Sequence, residues 1–143
     1  MINIPYYESS FFALHNFSAH SIVYKGAVYP TVEHAYHSSK FDDVDIKKEI
    51  QQAGNPLLAY TLGQKYASAR KSNWDEIKVN VLYEIIKEKV NQHEEVKNTL
   101  LSTGSDEIVE VNPNDDFWGS GKDRNGQNNT GKILMRIRQE LSS

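Results

Sequence analysis

The segment from Tyr29 to Phe41 holds the densest set of chemically capable side chains in the sequence: Glu33, His34, Tyr36, His37 and Lys40. Pro30 keeps the entry extended, Thr31 is a natural N-cap, and no Pro or Gly follows before Gly54, so a helix can begin here. On that helix Glu33, His37 and Lys40 fall at i, i+4 and i+7 and share a face. At 1.5 Å per residue the three span about 10 Å. A carboxylate and an imidazole can move protons, and an amine becomes a nucleophile once its pKa is lowered. Such a stripe suits a polar cleft better than a core. The same residues also fit two other readings. One is a solvated helix face with Val32, Ala35 and Tyr36 buried behind it. The other is a metal site of Glu33, His34 and His37, disfavoured because the spacing is not a paired-histidine i, i+4 site and no cysteine is present.

The elements that must position this stripe belong to a chain of 143 residues, enough for one domain, 1–143, with a continuous core. The lack of cysteine removes disulfides, thiol nucleophiles and thiolate metal sites. The first residues carry no basic-then-apolar leader, and no apolar stretch is long enough to span a bilayer, so no membrane association and a cytoplasmic location are expected. A formal net charge of -3 argues against a broad nucleic-acid surface held by counterion release, while leaving room for a local basic pocket. Eight tyrosines and two tryptophans supply rings on which a base or sugar can stack.

Taken in order, Ile22–Tyr24 and Ala27–Tyr29 around Lys25-Gly26 read as a hairpin leading into the key helix. Upstream, Asn16 is either a turn residue or a polar pocket contact. Ile46, Ile50 and Ala53 mark a short helix closed by Gly54. Asn55-Pro56 restarts a helix as cap and first residue, with Leu57, Leu58 and Leu62 inward until Gly63. The longest helix begins near Trp74 and buries Ile77, Val81, Leu82, Ile85 and Ile86. Trp74 is either its first core residue or a stacking platform. Arg70 and Lys71, just before that helix start, are placed to meet a phosphate. A helix from Glu94 to Ser102 packs Val96, Leu100 and Leu101, and a strand follows at Ile108–Val111.

Residues 112–131 form a long polar loop whose Phe117-Trp118 pair argues that it is pinned down. Its glycines do not form a dinucleotide fingerprint. The chain closes in a helix with Ile133, Leu134, Ile137 and Leu141 on one side.

The ordered set Asn16-Phe17, Pro30-Thr31-x-Glu33-His34 through Lys40-Phe41, Leu62-Gly63, Trp74-Asp75, Thr103-Gly104, Asn114-Asp115-x-Phe117-Trp118-Gly119-x-Gly121, Gly126-x-Asn128 and Gly131 through Arg138 resembles the NADAR family over nearly the whole chain. The resemblance implies an α+β fold, mainly helical, with a few short strands. It implies hydrolysis of the bond between ribose C1 and an exocyclic amine, with no cofactor and no metal. The substrates implied are phosphorylated ribosylamino-pyrimidine intermediates of riboflavin synthesis, or ADP-ribose on guanine in nucleic acid. The second substrate brings a functional pairing with an ADP-ribosyltransferase toxin into view. A non-catalytic module binding ADP-ribose or a related nucleotide is the alternative.

Carried onto this sequence, the resemblance makes Glu33, Lys40 and Asp115 the catalytic residues. Asn16, Tyr36, His37, Arg70, Lys71, Trp74, Trp118, Gly119 and Asn128 would bind substrate. A glycosylamine can open to an imine, so Lys40 could attack the open-chain carbon and form a Schiff base. A route using two carboxylates and water, with Lys40 on phosphate, competes with it. The sequence departs from the family pattern at several places. Lys71, not an arginine, stands three residues before Trp74, Gln64 follows Gly63, His15 replaces a serine, and His37 replaces a glutamine.

Overall fold

The computed structural model describes residues 1–143. In chain order the elements are β1 (Ile2–Ile4), β2 (Ile22–Tyr24), β3 (Ala27–Tyr29), α1 (Val32–Ser38), α2 (Val44–Gln51), α3 (Pro56–Lys65), α4 (Trp74–Gln92), α5 (Glu94–Ser102), β4 (Ile108–Glu110) and α6 (Asn129–Leu141), with 3-10 turns at Phe12–Leu14 and Ala67–Ala69. The fold is α+β and mainly helical, with a few short strands. By their contacts the elements form two groups, Ala19–Gln92 and Met1–Ser18 with His93–Ser143. No helix is long and apolar enough to cross a membrane.

In the group Ala19–Gln92, β2 and β3 pair antiparallel, Ile22 opposite Tyr29 and Tyr24 opposite Ala27. Both turn residues have positive φ, 49° at Lys25 and 81° at Gly26, which matches the right-handed twist of a two-residue hairpin. Ile22, Tyr24 and Tyr29 are buried, while Val23 and Val28 face solvent. Thr31 then caps α1 by accepting from the His34 N–H, Asp43 caps α2 by accepting from Asp45 and Ile46, and Asn55 caps α3 by accepting from Leu58. Phe41, Ile50 and Ala59 form a fully buried cluster, flanked by Ile46, Ala53, Leu62 and Tyr66.

Two expectations for α3 are corrected. The helix runs past Gly63 to Lys65, and Leu57 and Leu58 point outward, 61% and 42% exposed. The buried residues are Ala59 and Gly63, one turn apart, so the helix lays its smallest residues inward. α1 packs against α2, α3 and α4. On α4 the expected apolar stripe is buried at Val81, Leu82, Ile85 and Ile86, and Ile77 is half-buried.

The second group holds a strand that its short sequence did not announce. β1 pairs in parallel with β4, Ile2 beside Ile108 and Ile4 beside Glu110. On α5, Val96 and Leu100 are buried, but Leu101 is 39% exposed. It lies five residues after Val96 and so leaves the buried face. α6 begins at Asn129, inside the stretch expected to be loop, and buries Ile133, Leu134 and Ile137. Gly131 lets its first turn close on β4, because a Cβ there would collide with the Ile108 carbonyl and the Asn128 amide. Arg138 ties α6 to the end of α5 by donating to Thr103 Oγ1 and the Asp106 carbonyl, each at 2.8 Å.

Candidate active site

α1 is seven residues long and ends at Ser38, so Lys40 lies beyond it rather than on its second turn. The backbone keeps winding, with the Lys40 N–H donating to the His37 carbonyl at 3.3 Å. This places Lys40 Nζ above Tyr36, 5.4 Å from the ring centroid, with the residue only 4% exposed. Tyr36 in turn meets Trp74, ring centroids 5.3 Å apart and tilted by 58°. Lys40, Tyr36 and Trp74 therefore form one stack that joins the end of α1 to the start of α4. Trp74 is 3% exposed, the burial of a core residue.

Glu33 and His37 keep the i, i+4 relation read from the sequence. His37 Nε2 lies 3.0 Å from Glu33 Oε2. Glu33 is the more open of the two, with 12% of its side chain exposed against 4% for His37. The His37 ring meets Tyr36 and Tyr60 edge-on, with centroids at 5.1 and 5.5 Å. Gly63 seats against the same ring.

His34 has a structural post. Its backbone N–H donates to Thr31 Oγ1, its Nδ1 lies 2.8 Å from that hydroxyl, and its Nε2 lies 2.9 Å from the Ala53 carbonyl. Burial lowers its pKa, against a partly offsetting contribution from the Ala53 contact. It stitches α1 to the residues after α2.

Electrostatics single out Lys40. Burial pushes its ammonium down to about 8 from the ordinary 10.5; Glu33 opposes that, while Arg70 and Lys78 add to it. Of the two cations expected to meet phosphate, Arg70 thus acts on Lys40. Lys71 donates its backbone N–H to the Lys40 carbonyl at 2.8 Å, while its ammonium stands 3.9 Å from Asp42. Lys78, one turn after Trp74 on α4 and 3.3 Å from Asp75, joins the field around Lys40 without having been singled out in the sequence. Its i+4 spacing from Trp74 is the signal that was available.

The remaining expected residues lie in the group Met1–Ser18 with His93–Ser143. Asp115 Oδ1 accepts the N–H groups of Phe117 and Trp118, at 3.0 and 2.8 Å, so this carboxylate folds the loop over itself. Phe117 and Trp118 meet edge-on at 4.7 Å. The Gly119 carbonyl accepts from the Asn128 N–H at 3.0 Å. Asn128, at φ 53°, accepts from the Glu110 N–H and donates to the Ile108 carbonyl, which commits both side-chain polar atoms to β4. Asn16 is 8% exposed, and its buried Oδ1 has no hydrogen-bond partner. A surface hollow in this group, lined by Ser105, Lys132, Arg136 and Arg138 among others, contains none of the expected site residues.

A family model described as the NADAR domain matches residues 3–142. The chain belongs to the NADAR domain family. Among relatives, a riboflavin biosynthesis protein of Vibrio vulnificus is 38% identical over 128 residues, covering 90% of this chain and 35% of that protein. The chain thus spans about a third of that relative's length. N-glycosidase YbiA of Escherichia coli is 33% identical over 127 residues, covering 89% of this chain and 79% of YbiA. The NMR structure of E. coli YbiA superimposes with a TM-score of 0.87 at 31% identity, covering 99% of this chain and 85% of that one. Within this NADAR chain, the residues of the expected site that meet around α1 are Glu33, Tyr36, His37, Lys40 and Trp74.

Proposed function

We propose that the protein is an N-glycosidase that hydrolyses the bond between ribose C1 and an exocyclic amine. The names of its relatives support the reaction class. The observation that carries the mechanism is Lys40: a nearly enclosed amine, its pKa lowered to about 8, seated on Tyr36 within the field of the Glu33 carboxylate. Near neutral pH an appreciable share of such lysines is unprotonated and nucleophilic.

The reaction proceeds in four balanced steps. The nitrogen lone pair of the glycosylamine forms a C1=N bond as the C1–O4 bond breaks, and the Glu33 carboxylate carries the proton that this nitrogen gives up across to O4, ending ionised as it began. The neutral Lys40 amine adds to C1. The original amine leaves carrying both protons of the Lys40 nitrogen, its C–N bond broken, and C1 is then held to Lys40 as an imine. Water adds to C1, its two protons pass to the Lys40 nitrogen as the Lys40–C1 bond breaks, and ribose leaves as the free aldehyde, which closes to its ring. No oxidant, reductant or cofactor enters.

Asp115 enters this reading as a second carboxylate through the family resemblance, and its Oδ1 also holds its own loop. Arg70 takes the phosphate in preference to Lys71, and Trp74 stiffens the Tyr36 platform. The substrate is a phosphorylated ribosylamino-pyrimidine or an ADP-ribosylated guanine. Should it be the second, an ADP-ribosyl transfer of the kind a toxin performs must supply it. Incubation with each substrate class, with product analysis, tests the proposal. Release of free amine with ribose phosphate or ADP-ribose supports hydrolysis, and binding without turnover of either contradicts it.

A further inference from the structure

His37 was expected to touch substrate, yet neither ring nitrogen is available to one. Nε2 lies on Glu33, and Nδ1 is buried with no hydrogen-bond partner. The cause of that enclosure is local. Gly63 faces the ring so closely that a Cβ there would stand 2.9 Å from Nδ1 and 3.3 Å from Cβ and Cγ of His37. Tyr36 and Tyr60 hold the ring edge-on.

A neutral imidazole offers one N–H and one lone pair, and an ionised carboxylate only accepts. A sealed N–H without a partner is rarer and costlier than an under-satisfied acceptor. The single ring hydrogen therefore belongs on Nε2, aimed at Glu33, and the bare lone pair on Nδ1. On Glu33 it is Oε2 that meets His37, and 12% of the Glu33 side chain is exposed.

We infer that His37 is a positioning residue that donates Nε2–H to Glu33 Oε2 in one tautomer enforced by Gly63, leaving Glu33 Oε1 as the oxygen presented to substrate. A glutamine at this place would fit the same role, because its amide also donates from a neutral group. The catalytic part of this inference rests on the proposed use of Glu33; the tautomer does not.

Nitrogen-15 correlation spectra of the imidazoles in the full-length protein read the tautomer directly. A protonated Nε2 and a bare Nδ1 for His37 are expected, and the opposite tautomer overturns the inference. In turnover assays His37→Gln should stay within about threefold of wild type, while His37→Leu should lose about tenfold or more in kcat with KM little changed. A loss confined to KM, or a His37→Leu protein as active as wild type, also overturns it. Gly63→Ala should shift the His37 resonances; unshifted resonances would show that Gly63 does not set the ring. A wild-type protein inert on every substrate but showing the expected tautomer would defeat the functional reading and leave the hydrogen-bond assignment supported.

Discussion

Lys40 Nζ stands 5.4 Å from the centroid of Tyr36, directly over a ring that is itself packed on Trp74. This relation explains how a lysine can be almost fully enclosed. The aromatic face offers the ammonium a partial electrostatic partner, and Glu33 adds a second. Desolvation still dominates, so the amine releases its proton far more readily than an exposed lysine does.

The first prediction concerns rate against pH. Only the neutral Lys40 amine attacks, so kcat/KM should rise about tenfold per pH unit below pH 8 and level off above it, as expected for a group titrating at about 8. Lys40→Arg keeps a cation and should be inactive, because guanidinium does not deprotonate. Steady-state rates between pH 6 and 9.5 provide the check.

The second concerns stability. Lys40 and Lys89, the latter 1% exposed and lowered to about 7 by burial, both hold protons less tightly folded than unfolded. Unfolded chains bind more protons between the folded value and 10.5, so stability rises with pH across that window and the cost is complete below it. Lys89→Met should therefore raise the thermal midpoint by several degrees at pH 6 and by less at pH 10. Lys40→Met should stabilise in the same sense while abolishing turnover.

These two lysines also show where the sequence was legible and where it was not. Caps and turns were readable because they depend on a few adjacent residues: Thr31, Asn55-Pro56 and Lys25-Gly26 all do what their chemistry suggests. The α1 cluster was readable because Glu33 and His37 are one turn apart. What could not be read depends on partners distant in sequence. β1 is three residues long and exists through β4, more than a hundred residues away. The orientation of α3 follows from α1 needing Ala59 and Gly63 at close range, which overrides the apolar appeal of Leu57 and Leu58. Lys89 lies four residues after Ile85 and seven after Leu82, so helical spacing puts it on the buried face of α4, and only its charge argued for solvent. Lys40 slid off the helix end because α1 stops one turn earlier than an uninterrupted pattern suggests.

The third prediction separates the two duties of Asp115. Asp115→Asn keeps an acceptor for the Phe117 and Trp118 N–H groups, so the loop and the melting temperature should change little. Turnover should fall by about a hundredfold, the scale of a lost acid or base. Asp115→Ala should lose the turn as well, costing about 1 kcal/mol or more. Thermal melts and rates on the two variants distinguish loop-holding from chemistry.

The fourth follows from the stack. Trp74→Ala should cost about 3–5 kcal/mol, the usual toll for emptying a buried aromatic site. It should also admit water beside Tyr36 and Lys40, raising the Lys40 pKa and moving the pH–rate midpoint upward. Trp74→Phe should keep the midpoint near 8. Denaturant unfolding and the pH–rate profile are read together.

The most direct measurement is borohydride reduction during turnover, followed by peptide mapping. The account predicts a ribosyl adduct covalently fixed to Lys40 and absent from Lys40→Arg. Undiminished turnover of substrate with no trapped adduct, together with activity that survives in Lys40→Ala, would contradict it.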